Sequence, residues 1–114
     1  MMKIKALVVA MGLSIVSGLA LAESVHLPQA VEHPQAAIQE GSAGKPKALA
    51  EHASVALEHA KASEKAEANP HTAEGIVHLE AAIEAAQRGD DTGGTTHAKA
   101  ALEHLGMAGA PAKK

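Results

Sequence analysis

Ala56-Leu57-Glu58-His59 and Ala101-Leu102-Glu103-His104 are the same tetrapeptide, 45 positions apart. Sliding the chain over itself by that interval aligns residues 26–59 with residues 71–104, so the chain is a duplication. His26, His33, His52 and His59 fall on His71, His78, His97 and His104. Val31 falls on Ile76, Ile38 on Ile83, Leu57 on Leu102 and Gly44 on Gly89. All eight histidines belong to the repeated pattern.

Each unit consists of two Ala-rich, helix-favouring segments around a glycine-bearing break. The breaks are Gly41-Ser42-Ala43-Gly44 in the first unit and Gly89 to Gly94 in the second. Asn69 before Pro70 reads as an N-cap followed by proline in the first helical position, and Pro46 opens a helix in the same way. Thr95 or Thr96 is a candidate cap for the last helix. Ile76, Leu79 and Ile83, and likewise Leu102 and Leu105, recur at spacings of three and four, which is a helical stripe. The expected fold is all-α: an antiparallel up-down-up-down four-helix bundle made of two duplicated hairpins, with helices at about 34–40, 46–66, 70–88 and 95–106. Pro34 inside a longer first helix would cost ~3 kcal/mol or a kink, so that helix is expected to begin at Pro34 and leave His26 and His33 on an irregular lead-in.

Lys3 and Lys5 precede an uncharged run from Ala6 to Ser17 that ends in Gly18-Leu19-Ala20-Leu21-Ala22. That pattern predicts a signal peptide over residues 1–22, cut before Glu23, and hence a periplasmic protein. The mature chain would hold a helical domain over residues 23–106 and a flexible tail over 107–114, with no stable membrane anchor after cleavage. No cysteine follows the cut, which excludes a lipoprotein anchor, disulfides and thiolate metal sites. Without Lys3 and Lys5, eight basic residues face thirteen acidic ones, a formal charge of −5 with histidine neutral. That balance and the absence of Phe, Tyr and Trp argue against nucleic acid as a partner. The Ala-rich composition also predicts a thin core, with Val31, Ile38, Leu57, Ile76, Ile83 and Leu102 inside it.

The histidines on each segment are seven residues apart, or two helical turns. They share a face about 10.5 Å apart, too far for two of them to hold one ion at metal–nitrogen distances of ~2 Å. A second helix must supply the partner. If each hairpin folds antiparallel, facing residues have numbers that add to a constant. His26 with His59 and His33 with His52 add to 85; His71 with His104 and His78 with His97 add to 175. The pairs His52 with His78 and His59 with His71 also share one total, so two layers of four histidines across all four helices are conceivable. With Ile76, Ile83 and Leu102 at heptad position a, and Leu79 and Leu105 at d, every histidine falls at c, on the flank of the bundle. That favours two-histidine sites bridging neighbouring helices over a buried four-histidine cage.

The candidate metal ligands are therefore His26, His33, His52, His59, His71, His78, His97 and His104, with Glu74 added because it lies between His71 and His78 on one helical face. Glu32, Glu51, Glu58 and Glu103 each immediately precede a histidine, but adjacent helical positions diverge by 100°, so they read as solvated charges. Imidazole with carboxylate or water suits Cu(II), Ni(II) and Zn(II), and the affinity order places Cu(II) first. Eight evenly spaced imidazoles otherwise suit pH sensing, and the rival reading is a metal-independent helical interaction or adaptor protein. No nucleophile in a catalytic setting, acid and base pair or phosphate loop is present, so an enzyme is not expected.

Beyond these patterns, the chain resembles the bacterial small metal-binding proteins. The resemblance covers about residues 26–105 and rests on Leu49-Ala50-Glu51-His52, on Ala56 through Ala62, on His71 through Ile83 and on His97 through Leu105. Gly75-Ile76-Val77-His78-Leu79-Glu80 is its most specific piece. It implies a helical bundle, copper binding and a role in metal homeostasis, with His52, His59, His71, His78, His97 and His104 carried over directly. This chain departs from the pattern near the hairpin turns, where Gln39, Glu40 and Lys45, and then Ala85, Ala86 and Asp90, stand instead of further histidines. Fewer bound ions or weaker binding is the implied consequence.

Overall fold

A computed structural model describes residues 19–109, with side chains from residue 26. Residues 1–18 of the expected signal peptide and residues 110–114 of the expected tail lie outside the described residues. Four helices follow one another: α1 (Leu19–Ser42), α2 (Pro46–Ala66), α3 (Pro70–Gln87) and α4 (Asp91–Ala108). Helix α1 packs on α2 and α4, and α3 packs on the same two, which closes an antiparallel four-helix bundle.

The turns repeat as the sequence does. Gly44 and Gly89 adopt φ of +77° and +81°, the left-handed conformation that glycine takes without penalty. In each turn the glycine N–H donates to a carbonyl three residues back, Gly41 or Ala86. The following N–H, of Lys45 or Asp90, reaches the carbonyl of Glu40 or Ala85 at 2.9 Å in both turns. These are Schellman ends, and they satisfy the last carbonyls of α1 and α3. The connection between hairpins is capped as expected: Asn69 Oδ1 accepts from the N–H of His71 at 2.8 Å, with Pro70 in the first helical position.

Two expected boundaries are corrected. Helix α1 does not begin at Pro34: it runs through both Pro28 and Pro34, so His26 and His33 are helical. Pro34 is fully buried against the other helices, and that packing offsets the missing backbone bond. Likewise α4 begins at Asp91, because the Asp90 carboxylate accepts from the N–H of Gly93 at 2.9 Å and caps the helix before the glycine pair. Thr95 and Thr96 are therefore interior, and their hydroxyls donate to the carbonyls of Asp91 and Thr92. Gly94 lies in the helix where Leu49 and the Ala82 carbonyl would leave an added Cβ only 3.1–3.3 Å of room.

The core is also not the one that hydropathy suggests. Fully buried positions run Ala30, Pro34, Ala37 on α1; Leu49, Ala53, Ala56, Ala60 on α2; Leu79 and Ala82 on α3; Ala98, Ala101, Leu105 on α4. They recur at spacings of four and three, a heptad seam filled by alanines, three leucines and Pro34. Val31, Ile38, Leu57, Ile76 and Ile83 are only partly buried and pack against the margin of that seam, and Leu102 is half-buried. Assigned from the buried positions, the heptad has Thr72, Leu79 and Ala86 at a and Gly75 and Ala82 at d. Val31, Ile38, Leu57, Ile76, Ile83 and Leu102 then all stand at e, and all eight histidines stand at g.

Candidate metal centre

The phase of the heptad determines which histidines meet. In an antiparallel pair, reversing one helix sets like edges opposite each other, so g faces g and e faces e. The g edges of α1 and α2 face each other, as do those of α3 and α4. The e edges, carrying the larger aliphatic residues, close the two seams between the hairpins. An exposed Lys61–Glu80 pair at 3.8 Å flanks the α2–α3 seam and contributes little. Histidines therefore meet within hairpins, and every close imidazole pair among the described residues lies within one hairpin. The conceivable four-histidine layers are not formed: His52 and His78, or His59 and His71, stand at matching levels but on different seams.

Each hairpin carries a zigzag ladder of four rings. In the first, centroids are 5.3 Å apart for His26–His59, 5.9 Å for His59–His33 and 6.2 Å for His33–His52. In the second they are 5.9 Å for His71–His104, 5.4 Å for His104–His78 and 5.8 Å for His78–His97. The facing pairs are those that share a constant total. The diagonals His59–His33 and His104–His78 join successive levels, a contact that level counting along the helices does not disclose. An ion ~2 Å from one nitrogen of each of two imidazoles puts their centroids roughly 5–6 Å apart, the separation found throughout. Seven of the histidines are half-buried and only His71 is exposed. The alanine seam explains the burial: small core side chains let the helices approach closely and draw the g positions into the groove between them.

The ladders differ in detail. His26 and His59 share a hydrogen bond between their Nδ1 atoms at 3.0 Å, so one ring donates and the other accepts. Burial pushes the His59 imidazole below its ordinary pKa, and the neighbouring His26 and His33 add to the shift, against the pull of Glu58. In the second hairpin, Nδ1 of His78 and Nδ1 of His104 are both closed off from solvent and have no hydrogen-bond partner. A carboxylate oxygen of Glu74 and one ring nitrogen each of His78 and His104 lie within 4.8 Å of one another, a spacing that suits three ligands of one divalent ion. Glu74 is thus grouped with the diagonal pair across the hairpin, whereas the sequence placed it between His71 and His78. Glu32, Glu51, Glu58 and Glu103 point to solvent, as adjacent helical positions require. An open hollow of about 890 Å³ at the α2–α3 end, lined by Leu27, Val31, Ser63 and Thr72 among others, lies off the ladders.

A family model described as small metal-binding protein matches residues 1–108, nearly the whole chain. The chain belongs to the small metal-binding protein family. Membership points to metal ions as partners and to binding rather than catalysis, and the imidazole ladders are where this member concentrates ring nitrogens. No match is found among curated proteins.

Proposed function

We propose that this protein binds and buffers divalent transition-metal ions, chiefly Cu(II), in the periplasm, through histidines paired between the helices of each hairpin. The observation that carries this reading is the pair of imidazole ladders, whose ring separations of 5.3–6.2 Å suit ions shared between neighbouring rings. Cu(II) is preferred over Ni(II) and Zn(II) because nitrogen-rich sites without geometric constraint follow the general affinity order. The ligands assigned are His26, His33, His52, His59, His71, His78, His97 and His104, with Glu74 in the second hairpin. Side chains on open seams exchange readily with solvent, which suits storage and release and leaves selectivity among these metals low. The basic, apolar and small-residue pattern of residues 1–22 supports export.

Calorimetric titration with Cu(II) near neutral pH tests the reading. Saturable binding in the micromolar range or tighter is expected, reduced by about half in stoichiometry when His71, His78, His97 and His104 are all replaced by Gln. Affinity should fall as pH drops through about 6.5, because neutral imidazole is the ligand and protonation competes with the ion. Absence of saturable binding, or binding flat between pH 5 and 8, would exclude it. Recovery from the periplasmic fraction of a species beginning at Glu23 tests the compartment.

A further inference from the structure

We infer that the two hairpins fill in order, and that the first divalent cation enters the group formed by Glu74, His78 and His104. This rests on the metal-binding reading above and assigns a primary site within it. Helical heptad position c borders g on the solvent side, so the c residues decide what stands beside each ladder. Along the described helices these are Gln29 and Ala36 on α1; Ala48, Val55 and Ala62 on α2; Glu74 and Ala81 on α3; Gly93, Ala100 and Met107 on α4. Glu74 is the single carboxylate among them, one turn before His78.

Three features then distinguish the second hairpin. Its ligating atoms already lie within 4.8 Å of one another, so little chain movement is needed to close on an ion. The carboxylate adds a negative charge to two neutral rings, which offsets part of the charge of a divalent cation. The Nδ1 atoms of His78 and His104 are closed off from solvent and have no hydrogen-bond partner in the protein, so no bond within the chain competes for them.

The first hairpin lacks each of these. Forty-five positions earlier, Gln29 stands in place of Glu74, and its neutral amide is a poor ligand for these ions. His33 and His59 take the places of His78 and His104, but His59 Nδ1 is engaged with His26 at 3.0 Å. Binding at that atom must first break the pair. The site chemistry, two imidazoles and one carboxylate, suits the borderline ions Zn(II), Ni(II) and Cu(II).

Zn(II) is the probe, because it is diamagnetic and leaves histidine ring resonances observable. The purified chain is titrated while ring nitrogen–proton correlation spectra follow all eight histidines and calorimetry gives the stepwise constants. In the unaltered chain, His78 and His104 should shift below one equivalent while His33 and His59 stay in place. Loss of even an outer-shell partner lowers metal affinity about 10- to 100-fold, so Glu74→Gln should weaken the first step at least ~10-fold and abolish the order. Gln29→Glu should instead tighten the first hairpin, so that both sets of rings shift together. Both positions lie outside the buried seam, and helicity measured on each variant verifies that the bundle persists. Simultaneous shifts in the unaltered chain, early shifts of His33 and His59, or a first step unchanged in Glu74→Gln would each overturn the ordered filling while leaving metal binding intact. Saturation by neither Zn(II) nor Cu(II) would overturn both readings.

Discussion

The two hairpins share one plan and one turn chemistry, yet equivalent positions 45 residues apart carry different packing. In the first, Ala30 meets the seam where the second has Gly75, and Ala60 stands where the second has Leu105. An added Cβ on Gly75 would come within 2.7 Å of Leu105 Cγ, so the glycine exists to admit the leucine. The first hairpin has alanine at both places. Leu49 and its equivalent, Gly94, make a similar exchange, with Leu49 methyls 3.1 Å and 3.4 Å from the place of a Gly94 Cβ. Duplicated halves thus diverged by compensating changes of size, which keep the helices close enough for the g edges to pair. The rungs nearest the turns diverged as well: Glu40 and Lys45 form an exposed ion pair at 3.9 Å where the second hairpin has Ala85 and Asp90.

The largest effect should come from undoing one side of the exchange. Leu105→Ala removes a fully buried leucine and should cost about 2–5 kcal/mol in denaturant unfolding. Gly75→Ala alone should cost about 1–3 kcal/mol by overpacking. The double variant restores the Ala–Ala pair of the first hairpin and should cost clearly less than the two together, since the residues touch. Strict additivity would show that the pair is not a size exchange.

A smaller gain is expected from removing a difference in α1. Pro28 is exposed and takes the place of Ala73, whose N–H donates to the Asn69 carbonyl at 2.9 Å. Pro28→Ala restores one backbone bond at little loss of packing and should stabilise the chain by ~1–3 kcal/mol. An unchanged or lower melting temperature would show that the backbone bond missing at Pro28 costs the fold nothing.

The smallest effect concerns protons. His59 has a folded-state pKa below its ordinary value, so the unfolded chain binds the proton more readily. Stability of the metal-free protein should therefore fall as pH drops below about 6.5, and level off once the folded-state pKa has been passed. His59→Gln should flatten that slope. Thermal melts of the unaltered chain and the variant between about pH 7.5 and 5 compare the two, and an unchanged slope in His59→Gln would show that His59 does not carry it.

Much of the site is legible in the sequence. The duplication, the capped start at Asn69-Pro70 and the Gly44 and Gly89 turns are written in local residue types whose conformational preferences act over a few bonds. Facing levels followed from simple counting, because two antiparallel helices of equal rise keep a constant total. Glu74 was also visible as a ligand candidate, but its grouping with His104 was not, since the His78–His104 diagonal joins two different levels and counting pairs only residues at the same level.

By itself, then, the sequence determined four helices, their order, where the chain turns, and which histidines share a level. Only the tertiary structure decided the rotation of each helix about its axis, and so which edge faces which neighbour. The reason is physical. Hydropathy ranks Ile and Leu above Ala and assigns the aliphatic stripe to the core, whereas close helix packing favours the smallest side chains there. The Ile76 and Ile83 edge moves to the seam between hairpins, and the histidine edge turns inward to face its partner within each hairpin. Proline in α1 follows the same logic: a local penalty argues for a break, and burial of Pro34 in the core of the bundle outweighs it.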